Sequence, residues 1–169
     1  MELKLKSITK AAIAEAISKA ETYRFLNEPG ETESICRDIL AVEPENQKAL
    51  RVLGLAITDR FQGGASDRFA EAEGIFRRLT DSYERLYYAG LLHERLAKAQ
   101  LRAGYQPHTV IVLFEEALRC FAEAERIRPE GNDDAILRWN RCVRLIQSRP
   151  RADWEAEREV FEASDSPPV

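Results

Sequence analysis

Thirteen residues decide the fold: Ala117-Leu-Arg-Cys-Phe121-Ala-Glu-Ala124-Glu-Arg-Ile-Arg-Pro129. Ala117, Phe121 and Ala124 follow one another at intervals of four and three, so they share one face of a helix. Small residues on that face let a second helix approach, and the ring between them fills the groove. Pro129 then ends the segment, because proline lacks the N–H and disfavours helical geometry in the residue before it. The same small–large–large or small–large–small stripe occurs earlier as Ala72, Phe76 and Leu79, and more weakly as Thr32, Cys36 and Ile39 followed by Pro44.

Between these stripes the chain reads as further amphipathic helices. Ile8, Ala12, Ile13, Ala16, Ile17, Ala20, Tyr23 and Leu26 mark a first helix, and Asn27-Glu-Pro-Gly30 a tight turn after it. Asn46 is suited to cap a third helix carrying Ala49, Leu50, Leu53, Ala56, Ile57 and Phe61. Gly63-Gly64 breaks that pattern, and Ser66 or Asp67 is positioned to cap the fourth helix. A long fifth helix runs from about Tyr83 to Arg102, and Gly104-Tyr-Gln-Pro107 forms the next break. The sixth begins near Thr109. The seventh, after Gly131-Asn-Asp-Asp134, carries Ile136, Leu137, Trp139, Val143 and Ile146. An eighth is expected from Asp153 to Ala163, supported by Trp154, Val160 and Phe161. Seven or eight helices with short breaks predict stacked antiparallel hairpins.

Leu50, Leu53-Gly54 and Ile57 complete the pattern. With Ala117/Phe121/Ala124/Pro129 they resemble the two helices of a tetratricopeptide repeat, a helix–turn–helix unit of about 34 residues. The resemblance covers roughly Ile8 to Ile146 and is divergent. Pro44 and Pro129 stand farther apart than two regular repeats, and no proline closes the middle unit, where Tyr83-Glu84 stand instead. It implies an all-α chain, a right-handed superhelix of about 3 to 3.5 repeats. The expected organisation is one domain over residues 1–163 and a flexible tail over 164–169.

Composition agrees with a helical reading and excludes others. Fifteen Gly and Pro among 169 residues are few for a sandwich or barrel, whereas alanine, the best helix former, occurs 22 times. The 44% hydrophobic content is too high for a disordered chain. The longest stretch free of Lys, Arg, Asp and Glu, Ala103 to Phe114, is too short to span a bilayer and contains Pro107 and His108. The N-terminus lacks a signal-peptide pattern, and Cys36, Cys120 and Cys142 are an odd, widely spaced set, so reduced thiols and a cytoplasmic location are expected.

Signatures of catalysis are missing from the sequence. His93-Glu94 starts like a zinc-protease motif, but Ala97 stands where the second histidine belongs. Glu115 and Glu116 diverge by about 100° around a helix and share no face. Gly63-Gly64 is not followed by the Lys-Ser/Thr of a phosphate loop. No cofactor, metal or catalytic residue is expected, and the three cysteines are read as core fillers. Arg138, Arg141, Arg144, Arg149 and Arg151 surround Trp139 in a basic stretch. Nearby Asp133, Asp134, Asp153, Glu155 and Glu157, with a net charge of −4, disfavour a nucleic-acid partner.

The resemblance implies a protein-interaction module whose first helices line a groove for a peptide or partner protein. Carried over by motif, the groove positions are Arg24 on the first helix, Lys48, Arg51, Leu55 and Asp59 on the third, and Asn140 and Arg144 on the seventh. Ala14, Ile17, Glu21, Phe25, Thr58, Asp133 and Ile136 complete the three faces. Ile17, Glu21 and Leu55 occupy places where chaperone-binding members carry a Lys/Asn clamp, so that ligand is disfavoured. An acidic peptide drawn by Arg24, Arg51 and Arg144 is the remaining expectation for the groove. Thr109-Val-Ile-Val-Leu-Phe114 is apolar all round, and burial of its far side under the fifth helix is expected. An exposed contact patch there, serving self-association, is the alternative. Tyr83, Tyr87 and Tyr88 are expected to pack between neighbouring repeats.

Overall fold

Prolines at the first position and side-chain caps set several helix starts in the computed structural model, which describes residues 3–64 and 66–155. A 3-10 turn, Lys10–Ala12, leads into α1 (Ile13–Phe25). The chain reverses at Asn27, whose φ of 61° is left-handed, a conformation asparagine tolerates better than most residues. Helix α2 (Pro29–Val42) starts on Pro29 itself. The proline expected to sit in a turn therefore opens the helix, since at the first position its missing N–H costs nothing and its φ is already helical. Pro107 does the same for α6 (Pro107–Arg126). Asn46 caps α3 (Gln47–Asp59) as expected, accepting the Ala49 N–H at 2.9 Å. Next come α4 (Ser66–Arg77), α5 (Ser82–Arg102), α7 (Asp134–Gln147) and α8 (Arg151–Glu155). Gly104 and Gly131, at φ of 89° and 77°, supply left-handed turns after α5 and before α7. Among the described residues every regular element is a helix. The eighth helix is seen only to Glu155; its expected continuation to Ala163, and the tail 164–169, lie outside the described residues.

The chain forms two compact units. Among the described residues the first comprises 3–61 and 66–85, and the second 62–64 and 86–155. The first turn of α5 thus belongs to the first unit and the rest to the second.

In the first unit α1 packs on α2, α2 on α3 and α3 on α4, and α1 also reaches α3. Ile13, Ile39 and Ala49 form a buried cluster with Ile8, Ala16, Ile17, Ile35, Leu40 and Val42 around it. The stripe Thr32, Cys36 and Ile39 is fully buried, and the Thr32 hydroxyl donates to the Ala20 carbonyl at 3.1 Å, tying α2 to α1. Ala72, Phe76 and Leu79 line the inner face of α4. Gly54 lies under the Phe76 ring, and a Cβ there would overlap it.

Ties in this unit recur at a regular distance along the chain. Arg24 reaches Asp59, Glu33 reaches Arg68, Arg37 reaches Glu71, Glu45 reaches Arg78, Gln47 reaches Thr80 and Arg51 reaches Glu84, at separations of 33 to 35 residues. They join α1 to α3, α2 to α4, the α2–α3 junction to the α4–α5 junction, and α3 to the start of α5. Equivalent elements of successive hairpins are therefore bonded to each other.

In the second unit α6 packs on α7 and α8, with Ala117, Phe121 and Ala124 fully buried. A Cβ on Gly90 of α5 would stand 2.7 Å from Phe121 Cε1, so this glycine plays toward Phe121 the part that Gly54 plays toward Phe76. Tyr87 lies between Tyr88 and Phe121, at ring centroid distances of 5.1 and 6.0 Å. At the apolar start of α6 Val110 and Phe114 are buried, Ile111 and Leu113 half-buried and Thr109 and Val112 exposed, and the cover for Phe114 includes α8. Trp154 meets Phe114 edge-on at 6.1 Å and donates its indole N–H to the Ile146 carbonyl at 3.0 Å. Val112 remains 59% exposed. Leu137 of α7 is 64% exposed, as it and Ile136 are adjacent and diverge around the helix.

Candidate functional site

Each residue assigned to the groove can now be placed. Arg24 ends α1 and Asp59 ends α3, and the two bind each other. Arg24 Nε is 2.7 Å from Asp59 Oδ2, and its terminal nitrogen donates to Oδ1 at 3.2 Å. Arg51, in the second turn of α3, is ion-paired with Glu84 in the first turn of α5, and both are partly buried. Lys48 is exposed one turn earlier, and Leu55 is half-buried one turn later. Thr58 is buried and spends its hydroxyl on the Leu55 carbonyl at 2.8 Å, so it does not face an open groove. Phe25, at the end of α1, is 91% exposed.

These contacts correct the expectation of an arginine trio for an acidic peptide. Two of the three guanidiniums are neutralised by carboxylates of the same unit. An incoming acidic peptide would have to displace the carboxylates that Arg24 and Arg51 already hold. Asn140 is half-buried and Arg144 exposed, both on α7 in the second unit. Arg144 alone of the trio forms no ion pair among the described residues.

The buried polar groups have structural surroundings. Glu33 is 7% exposed and is met by Arg37, Arg60 and Arg68 at 3.6, 3.3 and 2.6 Å. Arg37 and Arg68 also hold Glu71, at 2.6 and 2.9 Å. Burial by itself raises the Glu71 pKa, but hydrogen bonds from Arg37 and Arg68 outweigh it and hold the carboxyl below its usual value. In the second unit Glu94 is fully buried, paired with Lys98 one turn along and 3.5 Å from Arg138. Burial works against the charge of Arg138, and the Tyr87 hydroxyl and Glu94 more than restore it. His93 is partly buried, its Nδ1 2.8 Å from the Ala89 carbonyl. Burial pushes the Cys36 and Cys142 thiols up to about 12 and Cys120 to about 11, so all three stay protonated. No group of three or more His, Cys, Asp or Glu among the described residues is placed to hold a metal ion. No described helix is long and apolar enough to cross a membrane.

Two clefts lie in the second unit. One, of about 360 Å³, is lined by His108, Ile111, Val112, Glu115, Ile146, Arg151, Trp154 and Glu155. The other, of about 420 Å³, is lined by Lys98, Leu101 and Arg102 of α5 and by Arg141, Leu145, Ser148 and Arg149 at the end of α7. Sequence reasoning missed this second cleft. The spacing Lys98/Arg102 and Arg141/Leu145/Arg149 does mark one helical face in each case, but nothing in the chain order says that these two faces meet. No family profile, curated protein or solved structure matches this chain.

Proposed function

We propose that this chain is a non-catalytic adaptor of the tetratricopeptide kind, binding a peptide or partner protein on the faces of its first-of-pair helices. The observation that carries this reading is the set of ties at 33 to 35 residues between equivalent elements of successive hairpins. A helical bundle without repetition has no reason to bond α1 to α3, α2 to α4 and α3 to α5 at one common separation. The Gly54–Phe76 and Gly90–Phe121 contacts support it, as each places a glycine of a first helix under an aromatic ring of the next. On the interaction faces Glu21, Phe25, Lys48, Asp133 and Arg144 are exposed, and Leu55 and Asn140 are half-buried. Arg24, Arg51 and Asp59 hold the helices in place.

Site-specific photo-crosslinking tests the reading. A crosslinker at Lys48 or Arg144 is expected to capture a partner in native lysate, and one at Arg77 of α4 or Arg126 of α6 is not. Capture from the α4 and α6 positions alone would overturn it. The second reading is self-association through α6, favoured by the 59% exposure of Val112 in an otherwise apolar helix start. Light scattering at micromolar concentration that finds only the 19.3 kDa species removes it.

A further inference from the structure

We propose that the cleft between the end of α5 and the end of α7 binds an acidic segment of a partner protein, one carrying leucine-like side chains between its carboxylates. This goes beyond the adaptor reading, since none of the cleft residues belongs to the faces assigned above.

The cleft arises from an irregularity of α5. That helix has 21 residues, whereas α1 and α3 have 13 each. Lys98, Leu101 and Arg102 all lie in its last two turns, where they meet Arg141, Leu145, Ser148 and Arg149 of the α7 end. Four of the seven lining residues are cations and none is acidic.

Two ordinary explanations for such cations fall short in magnitude. Lys98 is paired with Glu94, which accounts for one charge. The C-terminal ends of α5 and α7 present carbonyl dipoles worth about half a negative charge each. Together these offset roughly two of the four positive charges and leave about two uncompensated. Arg102, Arg141 and Arg149 form no ion pair among the described residues. On a chain of net charge −4 this is a local reversal of sign inside a concavity, where the field is focused.

The shape of the surplus selects the ligand class. From Arg141 on α7 to Arg149, two residues past its end, the cleft wall runs for about 12 Å, too far for one small anion to satisfy. Several carboxylates in sequence match it. Leu101 and Leu145 give the cleft an apolar floor that an interposed leucine side chain would cover, and the Ser148 hydroxyl, now donating to the Leu145 carbonyl at 2.7 Å, stands beside it. The lining holds no aromatic ring on which a nucleobase could stack. A long polyanion would also meet the negative remainder of the molecule. An acidic-apolar protein segment fits both features.

The test uses the full chain and a capped synthetic peptide of Glu-Asp pairs separated by single leucines. Titration followed by amide NMR is expected to move resonances of residues 98–102 and 141–149, with affinity falling as salt is raised. R141Q/R149Q, at two exposed positions, should weaken the peptide at least tenfold with an unchanged circular dichroism spectrum. R119Q/R126Q on α6, with the same loss of charge, should leave the affinity within a factor of two. The proposal is overturned if the perturbed resonances lie elsewhere, if both variants weaken the peptide equally, or if a single-stranded oligonucleotide of equal charge binds more tightly. Failure here leaves the crosslinking result at Lys48 and Arg144 standing, and the reverse also holds.

Discussion

Four glycines in helices separate two meanings that look alike in the sequence. A Cβ at Gly54 or Gly90 would collide with a buried phenylalanine ring, whereas at Gly30 or Gly74 it would meet nothing within 4 Å. Replacing a helical glycine by alanine gains about 0.5–1 kcal/mol of backbone propensity. Overpacking a core costs about 1–3 kcal/mol. G74A is therefore expected to stabilise by about 0.5–1 kcal/mol, and G54A and G90A to destabilise by about 1–2 kcal/mol. Urea midpoints for the three variants check this, and a stabilising G54A would contradict the close approach. The thiols make a second residue-level case. With pKa values raised to about 11 or 12 by burial, Cys36, Cys120 and Cys142 should react slowly with iodoacetamide at pH 8 in the native chain, and fast in denaturant. Fast native labelling of any of them would show that its surroundings open. One of the two glycine contacts is legible in the sequence. Gly54 sits in a recognisable Leu-Gly context, while Gly90 is preceded by Tyr87, Tyr88 and Ala89 and reads as an ordinary small residue until Phe121 is placed over it.

Charge pairs do at the level of elements what the apolar stripes do within a hairpin. Glu33 on α2 gathers Arg37 of its own helix, Arg60 beyond the end of α3 and Arg68 of α4, and Glu71 shares two of these arginines. Removing the carboxylate leaves Arg60 without this partner and Arg37 and Arg68 with Glu71 alone, so E33A should cost about 1–2 kcal/mol, measurable by chemical denaturation. A loss within 0.5 kcal/mol would place the cluster among solvent-screened surface pairs. Glu71 adds a pH dependence. Its folded pKa lies below the usual 4.5, so its stabilising contribution is present above that value and is lost as pH falls through the folded pKa. Glu116, held down by Arg119, acts in the same direction. E71Q should therefore make the acid limb of a stability–pH curve shallower below about pH 4.5, with little change in shape near neutrality. An unaltered acid limb would mean that Arg37 and Arg68 do not bind Glu71 in solution. From the sequence these arginines and glutamates are an unremarkable charged surface; the helix order brings them within 4 Å of one another.

For the whole molecule, helix content follows from composition and patterning. Circular dichroism is expected to give a predominantly helical spectrum, and a substantial strand signal would refute the architecture. The inner stripes were readable because the helical period fixes which side chains share a face, and Thr32/Cys36/Ile39, Ala72/Phe76/Leu79 and Ala117/Phe121/Ala124 are all buried as that period requires. Helix ends were legible where a residue has one chemical role, as at Asn46, and misread where it has two, as at Pro29 and Pro107. The site was less legible. Arg24 and Arg51 were placed on the right helices, but only the fold showed that Asp59 and Glu84 neutralise them. The cleft of Lys98, Arg102, Arg141 and Arg149 depends on two helix ends from distant parts of the chain coming together. The sequence by itself therefore determined the helices and the apolar stripes that the helical period places on one face. Only the tertiary structure decided which charges cancel and which remain, because periodicity is a local property of the chain whereas electrostatic pairing depends on distances that exist after the helices have packed.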